Sequence, residues 1–221
     1  MKLLRNLVVV AAAVLLATSA MAQGGGRQGG MRMMGGGNDP SGLMLLQRAD
    51  VQKDLGLTDD QKSKLTAMQD KIRQDMMARF QNGGGGRPDQ ETIQKMLKEV
   101  MDNVKKEAAA ILTKEQMTRL REINIQIAGN GAASWEDVQK ELGMTSDQVA
   151  KVKDLQQKQT EANGALFQKM RDGEISREEI GDMMKKNSDT LNAEIGKVLK
   201  EEQRAKLKTM GGKEFKADKQ G

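Results

Sequence analysis

The chain has 221 residues with no His and no Cys, and its 36 Lys and Arg against 31 Asp and Glu give a net charge of +5. Without His and Cys, imidazole bases, thiol nucleophiles, disulfides and the usual zinc ligands are excluded. Charges of both signs are interspersed along the chain, which is typical of solvated helix faces and argues against nucleic-acid binding.

The first 22 residues have the features of a secretory signal peptide. Lys2 and Arg5 precede an apolar run over 7–17, and residues 20–22 form an A-x-A cleavage site. The apolar run is shorter than the roughly 20 residues that a transmembrane helix needs, and lipidation at the cleavage point would need a cysteine. We therefore expect a periplasmic or secreted protein with no stable membrane anchor.

Residues 23–42 form a glycine-rich segment that cannot bury enough apolar surface to become ordered, so we predict a flexible leader. Its methionines Met31, Met33 and Met34 are the best metal candidates in the chain, because thioethers select Cu(I). Plain disorder is the alternative interpretation of this cluster. No cofactor is predicted.

The rest of the chain contains an internal repeat. VQKDLGLTDDQ at 51–61 matches VQKELGMTSDQ at 138–148, and ILTKEQMTRL at 111–120 matches VLKEEQRAKL at 198–207, both displaced by 87 residues. Tandem duplication is the simplest explanation. We predict two helical repeat units, 43–130 and 131–212, followed by a flexible tail over 213–221.

Each unit is predicted to contain four helices, which makes the fold all-α. In the first unit a short helix over 43–55 ends at Gly56, and apolar spacing of three and four residues predicts helices over 59–81, 89–111 and 113–129. The second unit repeats this plan, with Ser134 and Ser176 as expected N-caps, Gly143 as a helix stop and a break over 171–173. Since aromatic residues are scarce, we expect Leu and Met to fill the core.

One short motif recurs four times. The four segments are Leu57–Gln61, Leu112–Gln116, Met144–Gln148 and Leu199–Gln203. The motif predicts a helix start, in which a threonine hydroxyl accepts a hydrogen bond from a backbone N–H and the glutamine three positions later reaches back to the threonine N–H. Lys200 replaces the threonine in the last copy, so its cap is expected to be weak.

With this motif used twice in each helical unit behind a signal peptide, the chain resembles the Spy and CpxP group of periplasmic proteins, over 43–128 and again over 132–212. Members of that group are ATP-independent chaperones or envelope-stress adaptors. They are typically cradle-shaped antiparallel dimers whose concave face receives unfolded clients, and some relatives sense or bind metals. The resemblance implies that this chain forms an extended or pseudo-dimeric cradle, as a monomeric pseudo-dimer or a homodimer.

Apolar and basic residues cluster where each long helix approaches its break. The candidates for an adaptable client-binding surface and its positive rim are Arg73, Met76, Met77, Arg79, Phe80, Phe167, Lys169 and Met170. Core packing is the alternative role for the apolar residues, and a solvated helix face is the alternative for the basic ones.

Adjacent acids such as Asp59-Asp60 and Glu178-Glu179 lie in first helical turns, where capping and the helix dipole explain them better than acid–base catalysis. We therefore predict a protein without enzymatic activity that binds unfolded or partner proteins. The segment 172–176 weakly resembles a calcium loop, but Arg177 stands where that loop needs glycine. The alternative functions are Cu(I) handling or sensing and a passive structural role in the envelope.

Overall fold

The computed structural model describes residues 39–82 and 90–218, and between 73 and 101 it leaves out most side chains. Every regular element in these ranges is helical, which confirms the all-α class. The α-helices are α1 (Ala49–Asp54), α2 (Asp59–Asn82), α3 (Gln90–Ile111), α4 (Lys114–Ala128), α5 (Glu136–Leu142), α6 (Ser146–Arg171), α7 (Arg177–Val198) and α8 (Glu201–Met210). The predicted signal peptide and residues 23–38 of the predicted leader, with Met31, Met33 and Met34, lie outside the described residues. Residues 39–42 of the leader are described: the carbonyl of Asp39 accepts a hydrogen bond from Asn124 Nδ2 at 2.7 Å, and Ser41 Oγ accepts one from the N–H of Leu43 at 3.3 Å.

The helix boundaries repeat with the displacement of the sequence motif. Helices α2, α3 and α4 begin at 59, 90 and 114, and α6, α7 and α8 begin 87 residues later at 146, 177 and 201. The predicted boundaries of the long helices agree with the structure to within about two residues. They were predictable because capping residues and glycines mark these boundaries in the sequence itself.

The predicted short helix over 43–55 is divided in two. Leu43–Gln47 forms a 3₁₀ helix, Arg48 is extended with φ −84° and ψ 126°, and α1 follows. The side chain of Gln52 donates to the carbonyl of Leu46 at 2.6 Å, and so gives a partner to an oxygen near the end of the 3₁₀ helix. A glutamine carboxamide thus stabilises the turn between the two short helices.

The same arrangement recurs 87 residues later. The 3₁₀ helix Gly129–Ser134 is followed by extended Trp135 and by α5, and Gln139 donates to the carbonyl of Ala133 at 3.0 Å. The prediction that Ser134 caps the next helix is wrong. Its hydroxyl instead donates to the carbonyl of Gly131 at 2.7 Å, and the N-cap of α5 is Trp135, which makes no side-chain capping bond.

Glycines end the short helices, as predicted. Gly56 and Gly143 adopt left-handed conformations with φ of 60° and 61°. Next to each glycine, the N–H of Leu57 reaches the carbonyl of Gln52, and the N–H of Met144 reaches that of Gln139, both at 3.0 Å. This is the hydrogen-bond pattern of a Schellman motif, which satisfies carbonyls left over at a helix end.

The chain folds into two compact units. The N-terminal unit comprises Ser41–Ile123 together with the chain end from Lys213, and the C-terminal unit comprises Asn124–Gly212 together with residues 39–40. The division falls within α4, close to the boundary expected at 130. Residues 213–218, predicted as a flexible tail, lie in the N-terminal unit.

Leucine dominates the buried side chains of the N-terminal unit, and Met68 is buried among them. In the C-terminal unit the core consists of Ile125, Ala128, Ala132, Ala133, Trp135, Val138, Leu142, Val152, Ile195, Leu199 and Leu207. Methionine only flanks this cluster, through Met144 and Met210. In the core of the C-terminal unit methionine therefore contributes less than predicted, because alanines of the 3₁₀ helix and the large side chain of Trp135 are buried there instead.

Candidate protein-binding surface

Capping boxes begin three of the four motif helices. Thr58, Thr113 and Thr145 each accept a hydrogen bond at the hydroxyl from the glutamine N–H three residues on, at 3.2, 3.2 and 3.3 Å. Each glutamine carboxamide oxygen in turn accepts from the threonine N–H, at 3.1, 2.9 and 3.0 Å. At the fourth motif only the second half of the box forms, from the N–H of Lys200 to Gln203 Oε1 at 2.9 Å, because a lysine side chain has no acceptor.

Besides capping its own helix, each motif glutamine forms hydrogen bonds with the other motif glutamine of its unit. In the N-terminal unit, Gln61 Nε2 donates to Gln116 Oε1 at 2.7 Å, and Gln116 Nε2 donates back to Gln61 Oε1 at 3.1 Å. Each Nε2 also donates to a carbonyl near a helix end, that of Ile111 at 2.9 Å and that of Leu55 at 3.2 Å. The pair joins the starts of α2 and α4 to the ends of α1 and α3.

The C-terminal unit contains the same network displaced by 87 residues. Gln148 and Gln203 exchange amide hydrogen bonds at 2.7 and 3.2 Å, and they donate to the carbonyls of Val198 and Leu142 at 2.9 and 3.3 Å. Gln203 is only 5% exposed, so these bonds satisfy a buried amide. This double role of the glutamine was missed from the sequence, although its fourfold recurrence was a signal that pointed to it.

Helices α6 and α7 pack against each other to form the hairpin of the C-terminal unit. Gly173, with φ 77°, lies in the turn between them, and Ser176 caps α7 in a capping box with Glu179, as predicted. Near the base of the hairpin, Val152 and Ile195 are completely buried. Closer to the turn, Asn187 donates to Asn163 across the interface at 2.9 Å, and Ile180, four residues after Ser176, is buried.

Three of the predicted client-binding residues lie near the end of α6, next to the hairpin turn. Phe167 and Met170 are half-buried, and Lys169 is exposed. Met183, on the neighbouring helix α7, is 41% exposed and is the one exposed large apolar side chain among the described residues. Met183 was not among the predicted client-binding residues, because its exposure depends on how α6 and α7 pack.

The other five predicted residues are Arg73, Met76, Met77, Arg79 and Phe80. They belong to α2, and their side chains lie outside the described part of the structure. The prediction that they bind clients therefore stays a prediction.

Polar side chains surround the hairpin turn. Gln168 Nε2 donates to both carboxylate oxygens of Asp172 at 2.8 and 2.9 Å, and Arg171 donates to Gln168 Oε1 at 2.5 Å. The carboxylate of Asp172, the first residue of the weak calcium-loop resemblance, is thus engaged by a neighbouring amide. Further along α7, the ion pair with Asp189 raises the pKa of Lys185, first through their hydrogen bond.

The shifted pKa values among the described residues all favour the charged form. The pKa of Glu179 is lowered because its carboxylate accepts the Ser176 N–H in the capping box. The pKa of Arg119 is raised chiefly by its hydrogen bond to Asp54. Capping and ion pairing explain these shifts, and none of them moves a group towards the neutral range in which general acids and bases operate.

An open depression of about 520 Å³ lies elsewhere in the C-terminal unit, above the start of α6. Its walls include Gln148, Lys151, Asp154, Glu194 and Lys197. Because charges of both signs line it and it opens to solvent, we interpret it as a solvated groove rather than a ligand pocket.

Within 39–82 and 90–218, no group of three or more Asp and Glu side chains is placed to hold a metal ion. None of the described helices is both long and apolar enough to cross a membrane. Comparison of the chain with family models, with curated proteins and with solved structures finds no match.

Proposed function

We propose that the chain is an exported protein without enzymatic activity that binds unfolded or partner proteins, as an ATP-independent chaperone or envelope-stress adaptor. The observation that carries this proposal is the α6–α7 hairpin, where half-buried Phe167 and Met170 and exposed Met183 lie on a thin two-helix element. Flexible thioethers and an aromatic ring on the same two-helix element suit apolar segments of varied sequence.

The repeated elements support the proposed architecture of two tandem Spy/CpxP-like units. Helix starts, glycine stops, 3₁₀ helices and paired glutamines all recur at 87 residues. A duplication that preserves both the caps and the polar network fits a covalent pseudo-dimer. In this proposal, two similar hairpins would offer two similar client surfaces.

The proposal is tested by light scattering from an aggregating unfolded model protein, with the chain lacking its first 22 residues added at equimolar amount and without nucleotide. We expect suppression that saturates near one to one. Met183→Gln keeps the side-chain length while removing apolar surface, and should weaken suppression several-fold. Lys153→Ala, an exposed change on α6, is the matched control. No suppression by the unmodified chain would overturn the chaperone proposal.

Cu(I) handling or sensing is the second candidate, because Met31, Met33 and Met34 supply three thioethers within four residues. Deleting 23–42 should abolish Cu(I) binding if this function is correct, and should leave aggregation suppression almost unchanged if the first proposal is correct. A passive envelope component would show neither behaviour.

A further inference from the structure

The last described residues, 213–218, have no regular secondary structure and contact Arg48, Asp50 and Arg119 within the N-terminal unit. Arg119 Nη1 donates to the carbonyl of Lys213 at 2.7 Å. The guanidinium of Arg48 lies over the ring of Phe215, 5.7 Å from its centre. The N–H of Asp218 donates to Asp50 Oδ2 at 3.3 Å. Residues 213–218 are called the tail segment below, and Arg48, Asp50 and Arg119 the tail seat.

The tail seat is held in place by its own ion pairs. Arg48 donates to both carboxylate oxygens of Asp50, at 3.0 and 2.5 Å. Arg119 donates to both oxygens of Asp54 at 2.6 and 3.2 Å, and to Glu122 at 2.9 Å. The two guanidinium groups are therefore oriented by planar, charge-assisted bonds that do not involve the tail segment. Such preorganisation lowers the entropic cost of binding a chain segment.

The contacts of the tail seat depend little on the side chains of the tail segment. Two of the three reach backbone atoms, a carbonyl and an N–H, and the third reaches the face of an aromatic ring. The flanking side chains of Glu214 and Lys216 are exposed. Any extended segment with an aromatic residue at the right distance from a free carbonyl could make these contacts, and a cation over an aromatic face is attractive for Phe, Tyr and Trp alike.

We propose that the tail seat is a binding site for extended polypeptide segments that carry an aromatic residue, and that the tail segment occupies it as a tethered internal ligand. A covalently tethered ligand acts at an effective concentration in the millimolar range, so it holds off weak competitors in solution. This inference rests on the proposed function to the extent that unfolded clients supply the competing segments. Residues 213–218 would then compete directly with clients.

A peptide-exchange experiment tests the seat without any chaperone assay. A fluorescent peptide of residues 211–221 is titrated into the full chain, into Phe215→Ala and into the exposed control Lys216→Ala. Phe215→Ala should bind the peptide at least tenfold more tightly than the unmodified chain, because its own tail competes less. Lys216→Ala should behave like the unmodified chain. Equal affinity for all three chains would overturn the proposal.

Variants of the seat itself decide whether the peptide binds at the proposed place. In the Phe215→Ala background, Arg48→Met should weaken peptide binding at least tenfold, and Asp50→Asn should weaken it while preserving the shape of the side chain. Circular dichroism checks that each variant is folded. Peptide binding that is unchanged in both variants would contradict binding at the tail seat.

Aggregation suppression tests whether the tail seat also binds clients. Phe215→Ala should suppress aggregation at a lower chain concentration than the unmodified protein, and added 211–221 peptide should reverse this gain. Peptide exchange without any change in suppression would overturn the role of the seat in client binding. Failure of the unmodified chain to suppress aggregation would overturn the proposed function instead, while the exchange experiment would still decide the seat.

Discussion

Gln61 and Gln116, 55 residues apart, exchange side-chain amide hydrogen bonds at 2.7 and 3.1 Å while each also closes the capping box of its own helix. Gln148 and Gln203 are paired in the same way in the C-terminal unit. A single carboxamide thus provides partners for several helix-terminal groups at once. This relationship explains why the last position of the motif is glutamine, since glutamate could not donate to the partner and to a carbonyl.

Removing one glutamine of a pair should lower the free energy of unfolding. Gln148→Ala removes half of a capping box and two donated hydrogen bonds, and leaves the buried amide of Gln203 partly unsatisfied, so we expect the free energy of unfolding to fall by about 2–3 kcal/mol. Urea denaturation followed by the fluorescence of Trp135, the only Trp in the chain, measures the C-terminal unit. Gln157→Ala, which removes only an exposed bond to Glu161, is the control and should change stability by less than about 0.5 kcal/mol.

The double variant Gln148→Ala with Gln203→Ala tests whether the two amides act together. We expect a non-additive coupling energy of about 1–2 kcal/mol, because the second substitution removes a partner that is already lost. Purely additive effects would contradict the paired network.

Lys200 marks the weak cap of the fourth motif. Lys200→Thr should restore the missing half of the box and raise the free energy of unfolding by about 0.5–1 kcal/mol. The ion pair that it removes, from Lys200 to Glu202 at 3.8 Å, is exposed and contributes little. The matched reverse change, Thr145→Lys, should lower the stability by a similar amount, and a gain in stability from it would contradict the capping explanation.

Substitution by alanine at two glycines with free space around them should change the stability in opposite directions. A methyl group added to the Cα atom of Gly143 or of Gly164 would meet no neighbouring side chain within 4 Å, so packing does not contribute to either change. Gly143→Ala forces a left-handed residue, with φ 61°, and should destabilise by about 1–2 kcal/mol. Gly164→Ala, inside α6, should stabilise by about 1 kcal/mol. Thermal unfolding by circular dichroism distinguishes the two outcomes by the sign of the change in Tm.

The ion pair between Arg48 and Asp50 should make the N-terminal unit sensitive to acid. The pKa of Asp50 is lowered, first because Arg48 donates to its carboxylate. A lowered pKa in the folded state means that the stabilisation is fully present above the ordinary aspartate pKa of about 4, and is lost as the pH falls through the lowered value. Asp50→Asn should therefore lose stability at pH 7 and show a smaller further loss between pH 5 and pH 2, measured by urea denaturation with circular dichroism. An unchanged acid dependence would contradict this assignment.

The amino-acid sequence by itself determined the all-α class, the starts and ends of the long helices, and the caps at Thr58, Thr113, Thr145 and Ser176. These features were predictable because their signals are local: a cap and its partner lie three residues apart, and glycines such as Gly56 and Gly143 stand directly after the helices that they end. The 87-residue displacement of the helices also follows from the sequence, since the local signals themselves are duplicated.

Only the tertiary structure decided which of these residues contact each other. No local pattern relates Gln61 to Gln116, or Arg48 to Phe215, yet the structure brings each pair into contact. The extended conformation of Arg48 and the exposure of Met183 were likewise not predicted from the sequence. The reason is that each depends on helix packing, which brings together polar groups far apart in the chain and decides which apolar side chains are covered.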